Sequence, residues 1–170
     1  MKKDLGELFK KIVFAVVQSG TALKDNENKG VFDEDRLKEQ LSICSNFGVL
    51  SKEHNGDFLS PELISRKFSL GLYSLNVAPE LGRIETGVIL GLLNEDQTER
   101  FFRICYDSGK WQKWVSYDFM PYLNKKTLME TSGHYVFSNK ELKEFLRPFK
   151  EFISKEVEKR IHAFIDRIVL

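Results

Sequence analysis

The first part of the chain alternates between apolar stripes and polar breaks. Apolar residues recur every three or four positions from Leu5 to Val17, and Gly20 follows them, which is the pattern of one helical face closed by a glycine. Asp33 is placed to cap a second helix, which would run to Phe47 and end at Gly48. The pattern therefore predicts two amphipathic helices separated by a polar loop.

A short hairpin is predicted after the second helix. The pair Asn55-Gly56 is typical of a two-residue hairpin turn, and it separates the runs 49–52 and 57–59. Ser60 and Pro61 then favour the start of another helix, because serine is a good cap and proline is tolerated in the first turn.

The centre of the chain is ambiguous between helix and strand. The apolar runs 88–93 and 101–106 are too short for their periodicity to separate the two. The polar residues 107–110 lie between the second run and the aromatic segment 111–117, and this order favours a central antiparallel hairpin.

The C-terminal part carries the longest apolar stripe. Ser138 and Glu141 have the spacing of a capping box, and Pro148 should kink or split the long helix there. The stripe either closes the core of its own domain or contacts another protein subunit or a second copy of the chain. The candidate interface residues are Phe149, Phe152, Ile153, Ile161, Ile165 and Ile168.

The predicted elements indicate an α+β protein that is mostly helical, and the composition indicates that it is globular. Of the 170 residues, 42% are hydrophobic and 14 are phenylalanine, which is enough apolar volume for a packed core. The organisation predicts an N-terminal part, 1–70, and a C-terminal part, 71–170, which could also pack as a single domain. The apolar segment near the start is too short and too charged to span a membrane, so we expect no membrane partner.

Cysteine usage indicates the compartment. Cys44 and Cys105 lie among apolar neighbours and share no metal-ligand spacing with the histidines. Buried free thiols are typical of proteins in a reducing environment, so we expect a cytoplasmic protein.

The module from Leu37 to Leu63 resembles the latter part of a winged-helix domain. Its helix ends in Phe47-Gly48, its hairpin turns at Asn55-Gly56, and the chain leaves the hairpin at Ser60-Pro61. The resemblance implies a winged-helix-like N-terminal part, although no convincing middle helix precedes Asp33. Winged-helix domains read DNA, and they also serve as protein-binding subunits of chromosome-structuring and defence ATPase complexes.

The charges of this module favour the protein-binding use. Residues 33–60 contain six acidic and three basic side chains, and the acidic ones cluster at the start of the helix. A reading helix enters a groove beside phosphates, which an acidic helix start would repel.

No combination of residues predicts catalysis, a metal ion or a cofactor. The cysteines lie within apolar patterns, and no serine lies in a nucleophile-elbow motif. Glu-x-Lys spacings occur only in a loop and in the first turn of a helix, which is the wrong context for a metal-dependent nuclease. His54 and His134 are more typical of solvated loop side chains than of ligands. The sequence therefore predicts a protein that is not an enzyme.

One segment of the basic half mixes cations with aromatic rings. Such a surface could stack the bases and bind the phosphates of a single strand, whereas the alternative is a hairpin with one aromatic face in the core. The candidate nucleic-acid contacts are Arg100, Arg103, Lys110, Trp111, Lys113, Lys125 and Lys126.

Two functional hypotheses follow from the sequence. The first is a non-catalytic adaptor or accessory subunit of a larger intracellular assembly that handles nucleic acid or acts in defence. The second is a direct DNA- or RNA-binding protein or transcriptional regulator that uses the segment from Arg100 to Lys126.

Overall fold

The chain forms two compact units in a computed structural model that describes residues 6–168. Unit 1 contains residues 6–22 and 28–77, and unit 2 contains residues 23–27 and 78–168. The predicted division into domains at residue 70 stays a prediction. Within residues 6–168, no helix is both long enough and apolar enough to cross a membrane.

The secondary structure is dominated by helices, which confirms the mostly helical α+β class. In chain order the strands are β1 (Phe14–Val17), β2 (Leu23–Lys24), β3 (Glu27–Asn28), β4 (Leu50–Glu53) and β5 (Ser74–Leu75). The helices are α1 (Glu34–Phe47), α2 (Pro61–Ser69), α3 (Pro79–Leu90), α4 (Glu95–Asp107), α5 (Lys125–Ser132), α6 (Lys140–Leu146) and α7 (Lys150–Ile168).

Unit 1 is built around a parallel sheet with the strand order β1-β4-β5. Phe14 pairs with Leu50, and Lys52 pairs with Ser74. Parallel neighbours need a crossover connection, and here α1 and α2 supply the two crossovers. The apolar core of the unit contains Val17, Leu37, Cys44 and Leu72.

The predicted ends of the second helix and the predicted start of the third are confirmed in unit 1. The Asp33 side chain accepts a hydrogen bond from the Arg36 N–H, and Gly48 closes α1 in the left-handed conformation at φ 67°. The Ser60 side chain caps α2 in the same way. These positions could be predicted because capping depends on a few adjacent residues.

The predicted first helix over 5–20 is wrong. The described part is a 3-10 turn, Gly6–Lys11, followed by β1, and Leu5 lies outside the described residues. Val13, Val16 and Val17 are β-branched and fit a strand, and the partner β4 supplies backbone hydrogen bonds that the local sequence does not reveal.

The predicted hairpin around Asn55-Gly56 is also wrong. Residues 57–59 form no strand, and β4 instead pairs in parallel with β1 and β5. Asn55 does take a left-handed conformation, at φ 58°, but the turn leads towards α2. The resemblance to winged-helix proteins stays a prediction, while the antiparallel wing that it implies does not occur in the structure.

The central hairpin of the prediction is replaced by helices in unit 2. Asn94 and Gln97 form a complete capping box, and α4 continues to Asp107. Its helical spacing buries Phe101, Phe102 and Cys105 on one face, which joins the core of the unit. The run 88–93 likewise begins as the end of α3.

The C-terminal helix is split at the predicted place. Helix α6 ends at Leu146, a 3-10 turn covers Arg147–Phe149, and α7 begins at Lys150. Pro148 lacks an N–H, so a continuous α-helix would lose a hydrogen bond there. The cap of α6 is Asn139, whose side chain accepts from the Leu142 N–H, and not the predicted Ser138.

Candidate functional site

The carboxyl edge of the sheet in unit 1 gathers a group of polar side chains. Ser19 follows β1, Glu53 ends β4, and Asn76 follows β5. The same edge is the usual place for a ligand in open parallel sheets, so its chemistry has to be considered first.

A fully buried ionic network lies at this edge. Lys67 of α2 donates from Nζ to Glu53 Oε2 at 2.7 Å and to Ser19 Oγ at 2.5 Å. The Ser19 N–H and hydroxyl both donate to Glu53 Oε1, at 2.8 and 2.5 Å. The Lys67 ammonium also lies 4.2 Å from the centre of the Phe32 ring.

The network contains the residue types of a serine–lysine catalytic pair, but its serine hydroxyl is not accessible to a substrate. Ser19, Glu53 and Lys67 are each 0% exposed. A nucleophile must reach its substrate, whereas here the serine hydroxyl is held between the ammonium and the carboxylate. The arrangement therefore joins β1, β4 and α2 and has a structural role.

The sequence prediction missed this network. Glu53 and Lys67 resemble ordinary surface charges in the sequence, and only the parallel pairing of β1 with β4 brings Ser19 to them. One signal was available: Lys67 lies three positions after the buried Ile64, on the same face of α2.

The predicted nucleic-acid surface lies in unit 2, and carboxylates neutralise most of its cations. Arg100 pairs with Glu141 at 2.8 Å, and Lys125 pairs with Glu99 at 2.6 Å. Longer pairs join Arg103 to Glu99 at 3.5 Å, Arg100 to Asp96 at 3.8 Å and Lys126 to Glu130 at 3.9 Å.

Lys110 and Lys113 differ from the other predicted contacts. Within residues 6–168, no ion pair joins either of them to a carboxylate. Lys113 lies over the rings of Trp114 and Tyr135, with its Nζ 4.7 and 5.1 Å from their centres. These two lysines could contact an anionic ligand without first breaking a pair.

The rings of the surface pack against one another. Trp111 stacks on Tyr106 with ring centres 5.9 Å apart, and its indole N–H donates to the Tyr106 carbonyl. Tyr122 packs against Tyr106 and Phe102 at 5.2 and 5.6 Å, and Phe119 packs against Trp111 at 5.8 Å. The hydrogen bond between Tyr122 and Tyr106, more than any other cause, raises the pKa of Tyr122.

A segment with large exposed side chains lies next to these packed rings. We call residues 117–123 the apolar loop. Their exposed fractions are 103% for Tyr117, 59% for Met120, 63% for Tyr122 and 78% for Leu123. Backbone hydrogen bonds from Phe119 to Ser116 and from Leu123 to Met120 form successive turns, so the loop has a defined conformation.

The candidate interface residues of the C-terminal stripe do not form one exposed face. Phe152 and Ile165 are exposed, Ile153 packs against the core of unit 2, and Phe149, Ile161 and Ile168 are half-buried. The side chain that α7 buries most deeply is Phe164, which the sequence prediction omitted. Part of the stripe therefore closes the core, and the rest faces solvent.

An apolar cavity of about 380 Å³ lies beside the C-terminal stripe in unit 2. It is lined by the apolar residues Ile89, Phe137, Leu146 and Ile153 and by the charged residues Glu85, Lys143, Arg147 and Lys150. Burial raises the pKa of the Glu85 carboxyl. The volume falls within the range of small-molecule sites, but the carboxyl is a poor fit for an apolar ligand.

The described histidines and cysteines do not form a reactive or metal-binding centre. Burial raises the pKa of the Cys105 thiol to about 12 and also raises the pKa of Cys44, so both remain protonated. Between residues 6 and 168, no three side chains of metal-binding type come together. The His134 ring is half-buried, and His54 is exposed.

Comparison with known proteins adds no family. No protein-family profile and no curated protein sequence matches this chain.

Proposed function

We propose that the protein is a non-catalytic protein-binding module, an adaptor or accessory subunit of a larger intracellular assembly, and that it binds its partner through the apolar loop. The observation that carries this proposal is the exposure of Tyr117, Met120, Tyr122 and Leu123 in one ordered segment. Aromatic residues and methionine are enriched in protein interfaces, and tyrosine is frequent among residues that dominate binding energy.

The structure beneath the loop supports a binding role. Tyr122 is held by Tyr106 and Phe102, so its ring loses little freedom when a partner covers it. An exposed apolar segment costs solubility, and an ordered one of this size typically marks a site of interaction.

The surrounding charges indicate the chemistry of the partner. Arg103 and Lys125 share the carboxylate of Glu99, at 3.5 and 2.6 Å. Lys125 lies 4.9 Å from the centre of the Phe102 ring, on which Tyr122 packs. We therefore expect a partner with an apolar cleft and a rim that carries both acidic and basic groups, because complementary rim charges increase the association rate.

Quantitative affinity purification from the native host tests this proposal. The Tyr117→Ser, Leu123→Ser double variant removes two exposed apolar groups and leaves the packed rings around Tyr106 unchanged. The matched control is the Leu8→Ser, Val31→Ser variant, which makes the same kind of change at exposed positions of unit 1. We expect a stoichiometric partner that the control retains and the loop variant loses at least about tenfold, the effect of 1.4 kcal/mol.

Two results would contradict the proposal. One is a wild-type protein that purifies without a stoichiometric partner, and the other is a partner that both variants retain equally. Circular dichroism of each variant establishes that the helices are intact before the comparison is made.

Direct nucleic-acid binding is the second candidate function. The observation in its favour is that Lys110 and Lys113 lie beside Trp111 and Trp114, a combination that suits single strands. Binding by these two lysines predicts a slope of about −1.4 for log K against log salt, whereas six cations would give about −4.

A labelled single-stranded oligonucleotide, titrated at several salt concentrations, tests this candidate. We expect the Arg103→Ala, Lys110→Ala, Lys113→Ala variant to lose the binding, while Lys140→Ala, an exposed lysine at the start of α6, serves as the control. Absence of binding at low salt would exclude this function.

A further inference from the structure

The outer strand of the unit 1 sheet carries apolar side chains that are exposed to solvent on one face. The strand order leaves β1 at one edge. Val16 is 65% exposed and Phe14 39%, and Tyr73 packs beside Phe14 with ring centres 5.9 Å apart. Parallel sheets are normally covered on both faces, and exposed apolar edge strands are normally protected. This surface therefore requires an explanation.

The backbone of β1 is also open along this edge. The carbonyls of Val13 and Val17 accept hydrogen bonds from the N–H groups of Leu50 and His54, so the odd-numbered residues face β4. Successive residues of a strand direct their N–H and C=O groups to opposite sides. Phe14 and Val16 therefore direct theirs outward, and within residues 6–168 no backbone group pairs with them there.

The open edge has a defined end. The next outward-facing residue after Val16 is Gln18, and the Gln40 side chain binds both of its backbone groups. Gln40 Oε1 accepts from the Gln18 N–H at 2.7 Å, and Gln40 Nε2 donates to the Gln18 carbonyl at 3.2 Å. On the other side, the Ile12 N–H donates to the Phe9 carbonyl. The edge open for pairing is therefore limited to Phe14 and Val16.

We propose that β1 pairs with β1 of a second copy of this chain, antiparallel and about a two-fold axis at Ala15. In this register Phe14 lies opposite Val16 of the second copy, and Val16 lies opposite its Phe14. Both outward N–H groups and both outward carbonyls of each copy are then satisfied. The two residues also share the exposed face, because their positions differ by two, so each aromatic ring meets a β-branched side chain.

The charge distribution along β1 favours a second copy over an unrelated strand. The exposed Lys11 precedes β1, and Asp33 lies at its other end, where the Asp33 N–H donates to the Ser19 carbonyl. The exposed Asp35 follows in the first turn of α1, whereas Lys10 and Glu34 already pair within the chain, with Glu7 and with Lys38 and Arg66. Antiparallel pairing brings the basic end of each copy to the acidic end of the other, so the same strand supplies both complementary surfaces.

Sedimentation equilibrium of the purified full chain tests this proposal. We expect a mass that approaches twice the 19.8 kDa of the chain as the concentration rises. Val16→Pro removes the N–H that faces the second copy and leaves the bonds to β4, so its association should weaken at least about tenfold. Val16→Thr retains the N–H and the β-branched shape, and as the control it should dimerise like the wild type.

A cross-link tests the register and does not depend on the proline variant being folded. Cysteines at positions that form a hydrogen-bonded antiparallel pair are about 5.5 Å apart between Cα atoms, which a disulfide can span. Mixing a Phe14→Cys chain with a Val16→Cys chain should therefore give a disulfide-linked heterodimer under mild oxidation. The native Cys44 and Cys105 are buried and should not interfere.

Two results would overturn the proposal. One is a wild-type chain that stays monomeric at the highest soluble concentration, which would leave the edge to a different protein. The other is a dimer that forms without the cross-link between positions 14 and 16, which would place the contact elsewhere. Both outcomes are independent of the apolar loop, which lies in unit 2.

Discussion

Breaking the buried Lys67–Glu53 ion pair should destabilise unit 1 far more than breaking an exposed pair. Lys67→Met leaves the Glu53 carboxylate with Ser19 as its remaining partner in the network, and Glu53→Gln leaves the ammonium without its counter-ion. Both side chains are fully buried, so water cannot replace the missing partner. We expect each single variant to cost about 3–5 kcal/mol of the free energy of unfolding.

A double variant measures the interaction energy between Glu53 and Lys67 separately from the effect of each substitution. Glu53→Gln with Lys67→Met removes both charges, while the glutamine carbonyl can still accept from the Ser19 N–H. We expect it to be more stable than either single variant, with a coupling energy of at least about 2 kcal/mol. The control is Glu156→Gln with Arg160→Met, an exposed pair at 2.9 Å in α7, which should cost less than about 0.5 kcal/mol.

Hydrogen exchange followed by mass spectrometry is the suitable assay, because it reports on unit 1 separately. Opening free energies lower by 3–5 kcal/mol correspond to exchange about one hundred to a few thousand times faster in peptides covering β1 and β4. If the destabilisation exceeds the stability of unit 1, these peptides should lose their protection from exchange completely. Single variants that exchange like the control, or a double variant whose cost equals the sum of the singles, would refute the reasoning.

Two further predictions concern a buried histidine and two glycines. Burial, and to a lesser extent Lys113, lowers the pKa of His134, so the histidine is protonated in the unfolded chain first and the free energy of unfolding should fall as the pH drops below about 6.5. Urea unfolding followed by tryptophan fluorescence should show a flatter pH dependence of stability for His134→Gln. The same pH dependence in the variant and the wild type would contradict this. A Cβ at Gly30 would collide with the Gly20 carbonyl, so Gly30→Ala should lower the free energy of unfolding by more than about 2 kcal/mol. A Cβ at Gly87, within α3, would meet open space, so Gly87→Ala should raise the free energy of unfolding by about 0.5–1 kcal/mol. Equal shifts in the unfolding midpoints of the two variants would be inconsistent with the structure.

Local signals in the sequence predicted the parts of the fold that depend on adjacent residues. The caps at Asp33 and Ser60, the left-handed Gly48 and the break at Pro148 each involve a few neighbouring positions. Such features can be inferred without knowledge of the tertiary structure because the hydrogen bonds that they satisfy or remove lie within one turn.

Non-local pairing explains the main errors. A four-residue strand such as β1 is too short to show its period of two clearly, and its valines also fitted the stripe of the predicted helix. What makes it a strand is β4, more than thirty residues later. In unit 2 the opposite error occurred: a helix was predicted as a strand, because the aromatic run of α4 has strand-like composition. The segment is helical because Asn94 caps it and one of its faces is buried.

The candidate sites were only partly predictable for a related reason. The sequence identified the cations from Arg100 to Lys126, but it could not show that Glu99, Glu130 and Glu141 neutralise several of them. It could not show either that Lys67 is buried, because a lysine enters a core only when the fold supplies its counter-ion.

Salt dependence connects these charges to function, because the three proposed interactions respond to it differently. Binding of a nucleic acid by Lys110 and Lys113 is driven by counter-ion release and should weaken steadily as salt rises. Contact through the apolar loop depends on the burial of Tyr117 and Leu123, so salt should mainly slow its association through the rim charges. Pairing of β1 lies between these cases, because its hydrogen bonds and apolar contacts persist in salt while the attraction between Lys11 and Asp33 is screened. An interaction that survives high salt therefore excludes the nucleic-acid explanation, and the loop and edge variants then decide which surface is responsible.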